Sequence, residues 1–165
     1  MRAIPLTDNA PDKIELFTII ELDPLQPGPK HWTDRLEKQL FDLHPKLWPQ
    51  SHDQIGDIII LKIPETLIPF QGAIGQAILD QHQNARVVCA DGGVQGEFRV
   101  RALEVIASRD GSTSTQTKVR EHGHQFIVDP SKAYYSPRLA TERLNTLQVA
   151  IGLKENLGRP IDVCD

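Results

Sequence analysis

The stretch Asp-Ile-Ile-Ile-Leu-Lys-Ile-Pro, residues 57–64, decides the fold of this chain. Its apolar, mostly β-branched residues follow one another almost without a break, which is typical of a strand buried on both faces of a sheet. Pro64 ends the stretch, because proline cannot donate a hydrogen bond to the ladder of a central strand. Residues 57–63 are therefore predicted to form a buried central strand.

The residues that follow predict a helix and a short strand. Residues 86–90 have the composition of a strand and are closed by a turn, Asp-Gly-Gly, at residues 91–93. Between residues 72 and 83 the apolar residues recur at the spacing of one helix face: Ile74, Ala77 and Ile78.

A long strand is predicted over residues 98–108, with a fault in its alternation. The apolar residues before Arg101 and those after Ala102 have opposite parity, which would place them on opposite faces of the sheet. A β-bulge near Arg101 and Ala102 would restore a single apolar face. Bulges often redirect side chains toward functional sites, and Arg99 and Arg101 lie beside this one.

The last third of the chain predicts a hairpin and then a helix. Residues 116–119 and 124–129 are the two strands of the hairpin. Ser136 and Pro137 open the helix, since serine is a favoured N-cap and proline a favoured first residue. Residues 161–165 resemble the start of a further strand. The predicted buried stripe of the helix consists of four residues at helical spacing: Ala140, Leu144, Leu147 and Ile151.

The first fifty residues have a different character from the rest. An apolar stretch at residues 14–22 is compatible with a strand, and the proline–glycine cluster at residues 24–29 predicts a stiff linker. Residues 31–43 show helical spacing, which Pro45 ends. The polar stretch at residues 50–54 is the predicted boundary with the main domain.

These elements predict an α+β fold, with a mixed, mostly antiparallel sheet of four to five strands and two to three helices. Residues 1–50 are predicted to be an N-terminal appendage, and residues 51–135 an α+β domain. Residues 136–165 are predicted to be a linker helix and the start of a further strand.

Composition excludes several classes of protein. At 39% hydrophobic and 24% charged residues, the 165-residue chain can bury one core, and no apolar run approaches the length of a membrane span. Met1 to Pro5 do not begin a secretory signal, and two cysteines cannot build a disulfide framework or a zinc site by themselves. A reducing, cytoplasmic setting follows as the default expectation.

The net charge of −4 is unevenly distributed. Residues 1–85 carry 7 lysines and arginines against 12 acidic residues, whereas residues 86–143 carry 9 against 7, and arginines are seven of those nine. An arginine-weighted segment after an acidic one is compatible with a nucleic-acid partner. Charge alone does not distinguish that partner from ordinary surface variation.

The most specific local signal is Tyr-Tyr-Ser-Pro-Arg-Leu-Ala-Thr-Glu-Arg at residues 134–143. Helical geometry places Arg138 and Glu142 one turn apart on the face opposite Ala140. An acid and a base at a helix N-terminus, after two tyrosines, could hold an anionic or planar ligand. The alternative is an exposed ion pair that contributes a few tenths of a kcal/mol to the helix.

Other candidate sites have simpler interpretations. His122 and His124 flank a glycine turn, and no further histidine or cysteine at a recognisable spacing completes a metal site. Cys89 lies in an apolar strand and is predicted to be a buried small hydrophobe. Residues 92–96 contain three glycines but match no phosphate-binding or dinucleotide pattern, so they are predicted to form a turn.

Four segments of this chain together resemble the archaeal and eukaryotic tRNA (guanine-37 N1)-methyltransferase family, in order and in rough spacing. The resemblance covers about residues 54–165. Its most specific motifs are Gly-Glu-Phe-Arg at residues 96–99 and Ser-Pro-Arg-Leu-x-x-Glu-Arg at residues 136–143. The segments that carry it are residues 55–64, 74–78, 96–107 and 134–143.

The resemblance implies an enzyme that transfers a methyl group from S-adenosylmethionine to N1 of guanosine 37, next to the tRNA anticodon. Glu142 corresponds to the glutamate that is proposed to remove the N1 proton as general base. Arg99 corresponds to the arginine implicated near O6 of the guanine, where negative charge develops when that proton leaves. The remaining residues are expected to contact RNA: Tyr134, Arg138, Arg143 and Arg101.

Two departures from the family pattern shape these expectations. In the family a strand ending in aspartate and a Phe-Ala-Gly-x-Gly loop follow the matched region, so most of the S-adenosylmethionine site is expected beyond Asp165. The resemblance thus implies that residues 51–135 are a target-recognition domain. It also implies that residues 136–165 are a linker helix and the first strand of a truncated, Rossmann-like methyltransferase domain. The 165-residue chain alone is therefore expected to be inactive. The family's N-terminal tRNA-elbow domain is usually longer and basic, whereas residues 1–50 are short and acidic.

Two alternatives stay open. The first is an RNA-binding module of the same fold with no catalytic role, and the second is a wybutosine-pathway aminocarboxypropyl transferase, which uses the same cofactor. In each case the expected partner is tRNA through its anticodon loop, with no membrane and with a monomer favoured.

Overall fold

A computed structural model describes residues 28–161, together with residues 7, 9–11, 15, 18 and 20. The strand predicted at residues 14–22 and the linker predicted at residues 24–29 lie mostly outside the described residues. So does the C-terminal strand predicted at residues 161–165, the expected start of a methyltransferase domain.

The main sheet has four strands: β1 (Asp53–Ile55), β2 (Ile58–Leu61), β3 (Val87–Gln95) and β4 (Val100–Ser108). They lie in the order β1-β2-β3-β4. The pairs β1–β2 and β3–β4 are antiparallel, and β2–β3 is parallel, so the mixed α+β fold is confirmed. A parallel pair requires a crossover, which is supplied here by a 3-10 helix, Glu65–Phe70, and an α-helix, Gln71–Gln81. That α-helix is α2, since a shorter one, α1 (Lys38–Leu43), precedes the sheet.

Strand β2 is buried on both faces, as its apolar run predicts. Ile59 and Leu61 face α2, and the side chains that alternate with them, Ile58 and Ile60, face the opposite side of the sheet. That opposite side is covered by a second, two-stranded sheet, so the central strand has no face toward water.

The segment before the sheet contributes two tryptophans to the core. Trp32 and Trp48 pack in the cluster on the α2 side, and the indole of Trp48 donates to the carbonyl of Phe41 at 3.2 Å. The helix predicted over residues 31–43 consists of a 3-10 helix, Trp32–Arg35, and then α1. The division of the chain at residue 50 stays a prediction, and Trp32 and Trp48 lie against the domain that begins after it.

The predicted fault in strand pairing is present, but the extra residue lies on the other strand. Asp91 pairs with Leu103 and Val94 with Arg101, so Gly92 and Gly93 of β3 together face Ala102. The Asp-Gly-Gly sequence predicted as a turn is therefore a bulge inside β3. A side chain at Gly92 would bring a Cβ to 3.3 Å from the carbonyl oxygen of Ala102.

The second sheet is the predicted hairpin, formed by β5 (Thr117–Glu121) and β6 (His124–Val128). Its two turn residues, His122 and Gly123, both have positive φ, at 48° and 86°, as a tight hairpin turn requires. Asp57 attaches the hairpin to the main sheet, because it accepts from the Thr117 hydroxyl at 2.8 Å and from Arg86 at 2.9 Å.

Helix α3 (Ala140–Leu157) follows a 3-10 turn, Pro137–Leu139, and ends at Gly158 in the left-handed conformation. No residue of α3 is buried, so the predicted buried stripe is wrong: Leu147 is 45% exposed and Ile151 41%. The side chains that hold the helix reach its first turn, while its later turns extend away from both sheets. No helix among the described residues is long and apolar enough to cross a membrane.

Candidate functional site

The Gly-Glu-Phe-Arg motif forms the tip of the turn between β3 and β4. The N–H of Arg99 donates to the carbonyl of Gly96 at 3.2 Å, and both residues have positive φ, at 52° and 66°. The left-handed conformation is costly for an arginine, and such outliers concentrate at functional sites. Phe98, beside it, is 82% exposed, so the tip presents an aromatic ring and a guanidinium to solvent.

Asp53 connects the β3–β4 hairpin to the turn before α3. One carboxylate oxygen of Asp53 is 2.7 Å from the guanidinium of Arg101, and the other is 3.6 Å from that of Arg138. Arg101 also lies 3.5 Å from Asp91, whose other oxygen accepts from the N–H of Gly93 in the β3 bulge. Arg101 is thus shared by two carboxylates, whereas Arg138 remains 87% exposed.

Arg143 is held by a second cluster, at the end of the β5–β6 hairpin. It donates to both carboxylate oxygens of Glu121, at 2.9 and 2.6 Å, and to the carbonyl of Ser136 at 2.9 Å. The Tyr135 hydroxyl donates to the same carboxylate at 2.5 Å, and the Arg143 guanidinium lies 5.0 Å from the centre of the Tyr135 ring. This arrangement fixes the direction in which α3 begins.

These contacts shift the pKa values of Glu121 and Tyr135. The hydrogen bonds from Arg143 lower the pKa of Glu121 despite its burial, so this carboxylate stays ionised. Burial, together with the hydrogen bond to Glu121, raises the pKa of Tyr135 to about 12, so the phenol stays protonated. Neither group is therefore suited to transfer a proton near neutral pH, and both are better described as structural.

Glu142, one residue before Arg143, is exposed and has a free carboxylate. It has no ion-pair or side-chain hydrogen-bond partner among residues 28–161. The simple ion pair with Arg138 does not form there, because Arg138 turns toward Asp53. Tyr134, 54% exposed, stands at the same end of α3, so the motif offers a phenol and an unpaired carboxylate to a ligand.

The structure brings together the segments that carry the predicted residues. Arg101 lies two positions after Arg99, and Arg138 lies four positions before Glu142. The guanidinium groups of Arg101 and Arg138 both contact Asp53. Sequence reasoning missed Asp53, Glu121 and Tyr135, which support the site. Asp53 lies in a polar stretch that marks a boundary, and Glu121 precedes a turn, so neither has a local signal of its role.

The described residues do not fit S-adenosylmethionine. Of the clustered glycines, Gly92 and Gly93 form the β3 bulge and Gly96 forms the hairpin turn, so none lines a cofactor cradle. The carboxylate nearest to them, Asp91, is already bound by Gly93 and Arg101. No cluster of three metal-ligating side chains occurs within the part of the chain that is described.

Comparison with known proteins identifies the class of this fold and site. Residues 33–112 match the family described as the TYW2 N-terminal domain. The chain is 43% identical over 103 residues to tRNA (guanine(37)-N(1))-methyltransferase Trm5b of Pyrococcus abyssi, covering 62% of this chain and 30% of that protein. The class that this chain resembles is thus that of the tRNA (guanine(37)-N(1))-methyltransferases, over less than half of their length.

Solved structures agree with the sequence matches. The crystal structure of Pyrococcus abyssi Trm5b superposes with a TM-score of 0.60 at 34% identity, over 80% of this chain and 39% of that one. A structure described as the complex of aTrm5 and tRNALeu gives a TM-score of 0.55 at 30% identity, over 68% of this chain and 35% of that one.

The chain is therefore similar to part of the tRNA (guanine(37)-N(1))-methyltransferases, which confirms the resemblance seen in the motifs. It spans less than a third of the length of that Pyrococcus abyssi protein and of two further curated relatives. Most of each of those relatives thus lies outside the matched region.

Proposed function

We propose that this chain is the target-recognition part of an S-adenosylmethionine-dependent enzyme that methylates N1 of guanosine 37 in tRNA, and that it positions the guanine. The observation that carries the proposal is the unpaired carboxylate of Glu142 on the first turn of α3. The Arg143–Glu121 cluster fixes that turn, so the carboxylate is held in place without being neutralised.

The chemistry requires a base and an electrostatic partner. N1 of guanine carries a proton at neutral pH and must lose it before it can accept a methyl group. Glu142 would take that proton, and Arg99 would stabilise the negative charge that moves onto O6. Tyr134 would stack on a base of the loop, and Arg138 would contact phosphate.

Arg101 and Arg143 differ from these residues in their surroundings. Each is already bound by carboxylates, and so each remains a predicted RNA contact with a competing structural partner. We propose that both act mainly by positioning, Arg101 for the β3–β4 tip and Arg143 for the start of α3.

The experiment that tests the proposal supplies the rest of the enzyme. The chain is mixed with, or fused to, the part of the Pyrococcus abyssi relative that follows the matched region, and single-turnover methylation of tRNA is measured. Glu142→Gln should slow the reaction by roughly 10²- to 10⁴-fold and leave tRNA binding nearly unchanged. Glu155→Gln, also an exposed glutamate of α3, is the matched control and should retain the full rate. A Glu142→Gln rate within twofold of the unaltered chain contradicts the base assignment.

Arg99→Ala tests the electrostatic partner in the same assay. Loss of one donor to the developing O6 charge should slow methylation by roughly 10²- to 10³-fold. Arg35→Ala removes an exposed guanidinium of the N-terminal segment and serves as the control. Equal rates for the two variants would remove Arg99 from the reaction.

The methyl donor itself is expected to bind elsewhere in the whole enzyme. Because the described residues form no cradle for it, the 165-residue chain alone should bind S-adenosylmethionine no better than millimolar. Calorimetry that gives a micromolar dissociation constant would overturn this placement of the cofactor.

Two other functions remain alternatives. A non-catalytic RNA-binding module would bind tRNA and yield no product with the supplied half. An aminocarboxypropyl transferase of the wybutosine pathway would add a heavier group than methyl, so mass analysis of the tRNA distinguishes the two enzymes. A monomer in the cytoplasm is the proposed state for either.

A further inference from the structure

A cleft of about 440 Å³ lies between β1, β5 and the turn that leads into α3. Lys118 and Arg120 of β5 form one wall, Gln54 of β1 forms another, and Tyr135 and Pro137 close the end near α3. Lys118 and Arg120 belong to neither the Asp53 cluster nor the Glu121 cluster. We infer that this cleft is a phosphate-binding subsite for a single RNA strand, an inference that rests on the proposed function.

The first support is the open backbone edge of β5. Glu121 and His124 flank the two-residue turn, and such a closing pair exchanges both of its backbone hydrogen bonds. Bonded pairs alternate along an antiparallel ladder, so the N–H groups of Lys118 and Arg120 point away from β6 and toward the cleft. Neither N–H donates to a backbone carbonyl elsewhere in residues 28–161. Two backbone donors are therefore available to an anion.

The second support is the shape of the cleft floor. Gly56, in the turn between β1 and β2, has a φ of +55°, and a Cβ there would lie 2.6 Å from the carbonyl oxygen of Lys118. Glycine lets the two segments approach closely beside Lys118. The cleft is thus bounded by Gly56 at one end and by Tyr135 and Pro137 at the other.

The third support is local charge. Lys118 and Arg120 are exposed and have no ion-pair partner among residues 28–161, although the whole chain has a net charge of −4. The acidic residue next to them, Glu121, is neutralised by Arg143. Their partners across the hairpin, Ile127 and Gln125, carry no charge. The cleft wall is therefore positive, although the whole chain has a negative net charge.

The combination favours a phosphate over a peptide strand, which is the other ligand that an open β edge accepts. A phosphate oxygen accepts from backbone N–H groups and pairs with a lysine and an arginine at once. A peptide strand would need alternating apolar pockets, whereas Gln54, Lys118, Arg120 and His122 place polar groups along this lining. Ala140 also lines the cleft, so a phosphate there would belong to a nucleotide close to the one that meets Glu142.

The test measures binding of a synthetic anticodon stem-loop RNA to the 165-residue chain across a series of salt concentrations. The double variant Lys118→Ala/Arg120→Ala should bind about tenfold more weakly near 0.1 M salt. The slope of log affinity against log salt should become shallower by about 0.7 for each phosphate of a single strand that the variant no longer neutralises. Lys38→Ala/Lys62→Ala removes two positive charges from exposed positions outside the cleft and should retain most of the affinity and the slope.

A second measurement uses the unaltered chain, so it does not depend on whether a variant folds. On titration of the unaltered chain with the RNA, the backbone amide resonances of residues 118 and 120 should shift, while those of 117 and 119, which are bonded to β6, should shift less. If the RNA binds but both pairs of amides stay unmoved and the two double variants bind alike, the phosphate subsite is wrong and the proposed function stands. Binding that does not change with salt would point to a peptide-type contact and would also overturn it. If the unaltered chain binds no RNA, the proposed function fails together with the subsite.

Discussion

The main sheet and helix α3 are held in place by different forces. In β2 and the first three residues of β3 every side chain is buried, and both faces of the sheet are covered by apolar residues. In α3 no side chain is buried, and the helix is held by the hydrogen bonds of Arg143 and His122 at its first turn. Apolar burial fixes one region, and directional polar contacts fix the other.

This difference separates the part of the protein that carries stability from the part where a polar ligand could bind. Burial is non-directional and tolerates no charged residue, so the sheet core has no group that can meet a polar ligand. A helix that is fixed by polar contacts at one end keeps its remaining faces free. The proposed base Glu142 and the exposed Tyr134 lie at that fixed end, where a ligand could reach them without unfolding the core.

The largest expected effect concerns the thiol in the core. Burial raises the pKa of Cys89 to about 12, so at pH 8 its thiolate is about 10³-fold scarcer than that of an exposed cysteine. In a Cys164→Ser chain, alkylation of Cys89 should be slower than that of a small free thiol by at least that factor. The rate should rise only with denaturant, in step with unfolding. Rapid alkylation in the native protein would show that the sheet core opens locally.

Substitution of a core residue should come next. Ile59→Ala removes a side chain that is fully buried against α2, and such changes cost about 2–5 kcal/mol of unfolding free energy. Leu147→Ala, in the exposed middle of α3, is the matched control and should change it by less than about 0.5 kcal/mol. Urea denaturation of both variants measures the contrast. A comparable loss for Leu147→Ala would mean that α3 is packed in solution.

The sequence predicted these two regions unequally. The run at residues 57–64 was sufficient to predict the buried strand, because a continuous run of mostly β-branched residues is typical of a strand that is buried on both faces. The apolar spacing in α3 predicted a buried face that the described residues do not provide, since periodicity shows which residues share a face but not what covers it.

The site shows the same division. Motifs selected Arg99 and Glu142 as candidate site residues. Asp53 and Glu121, in contrast, contact Arg101 and Arg143 across 48 and 22 residues of sequence, respectively. A single sequence contains no local trace of such pairs. The sequence likewise did not show which of β3 and β4 carries the extra residue of their bulge. That depends on how the two strands pair, and alternation along one strand does not determine the pairing.

The cluster that fixes α3 should have an effect of intermediate size and a defined pH dependence. Glu121→Gln weakens its contacts with Arg143, and we expect a loss of about 1–2 kcal/mol of unfolding free energy at pH 7, because Arg143 is partly exposed and water screens the pair. The pKa of Glu121 is lowered in the folded state from its usual 4.5. Its contribution is therefore present above about pH 4.5 and is lost as the pH falls through the folded pKa.

The measurement is urea denaturation of both chains between pH 7 and pH 3. The difference in unfolding free energy between the unaltered chain and Glu121→Gln should shrink as the pH falls below 4.5. Glu155→Gln, in the last turns of α3, is the control and should show little difference at any pH. A difference that does not depend on pH would mean that the carboxylate charge of Glu121 does not hold the helix.

The smallest expected effect separates two arginines that contact the same carboxylate. Arg138 is 87% exposed and 3.6 Å from Asp53, so Arg138→Ala should change the unfolding free energy by less than about 0.5 kcal/mol. Arg101, at 2.7 Å from Asp53 and also beside the mostly buried Asp91, should cost about 1 kcal/mol when replaced by alanine, because both carboxylates then lose the guanidinium that they share. If Arg138 contacts phosphate as proposed, its variant should nonetheless bind the stem-loop RNA more weakly and with a shallower salt dependence. Arg101→Ala should show the reverse balance, with the larger loss in stability and the smaller change in salt slope. An Arg138→Ala chain that loses stability and keeps its RNA affinity would mean that the contact with Asp53 is structural, and that this exposed side of the helix start does not meet the RNA backbone.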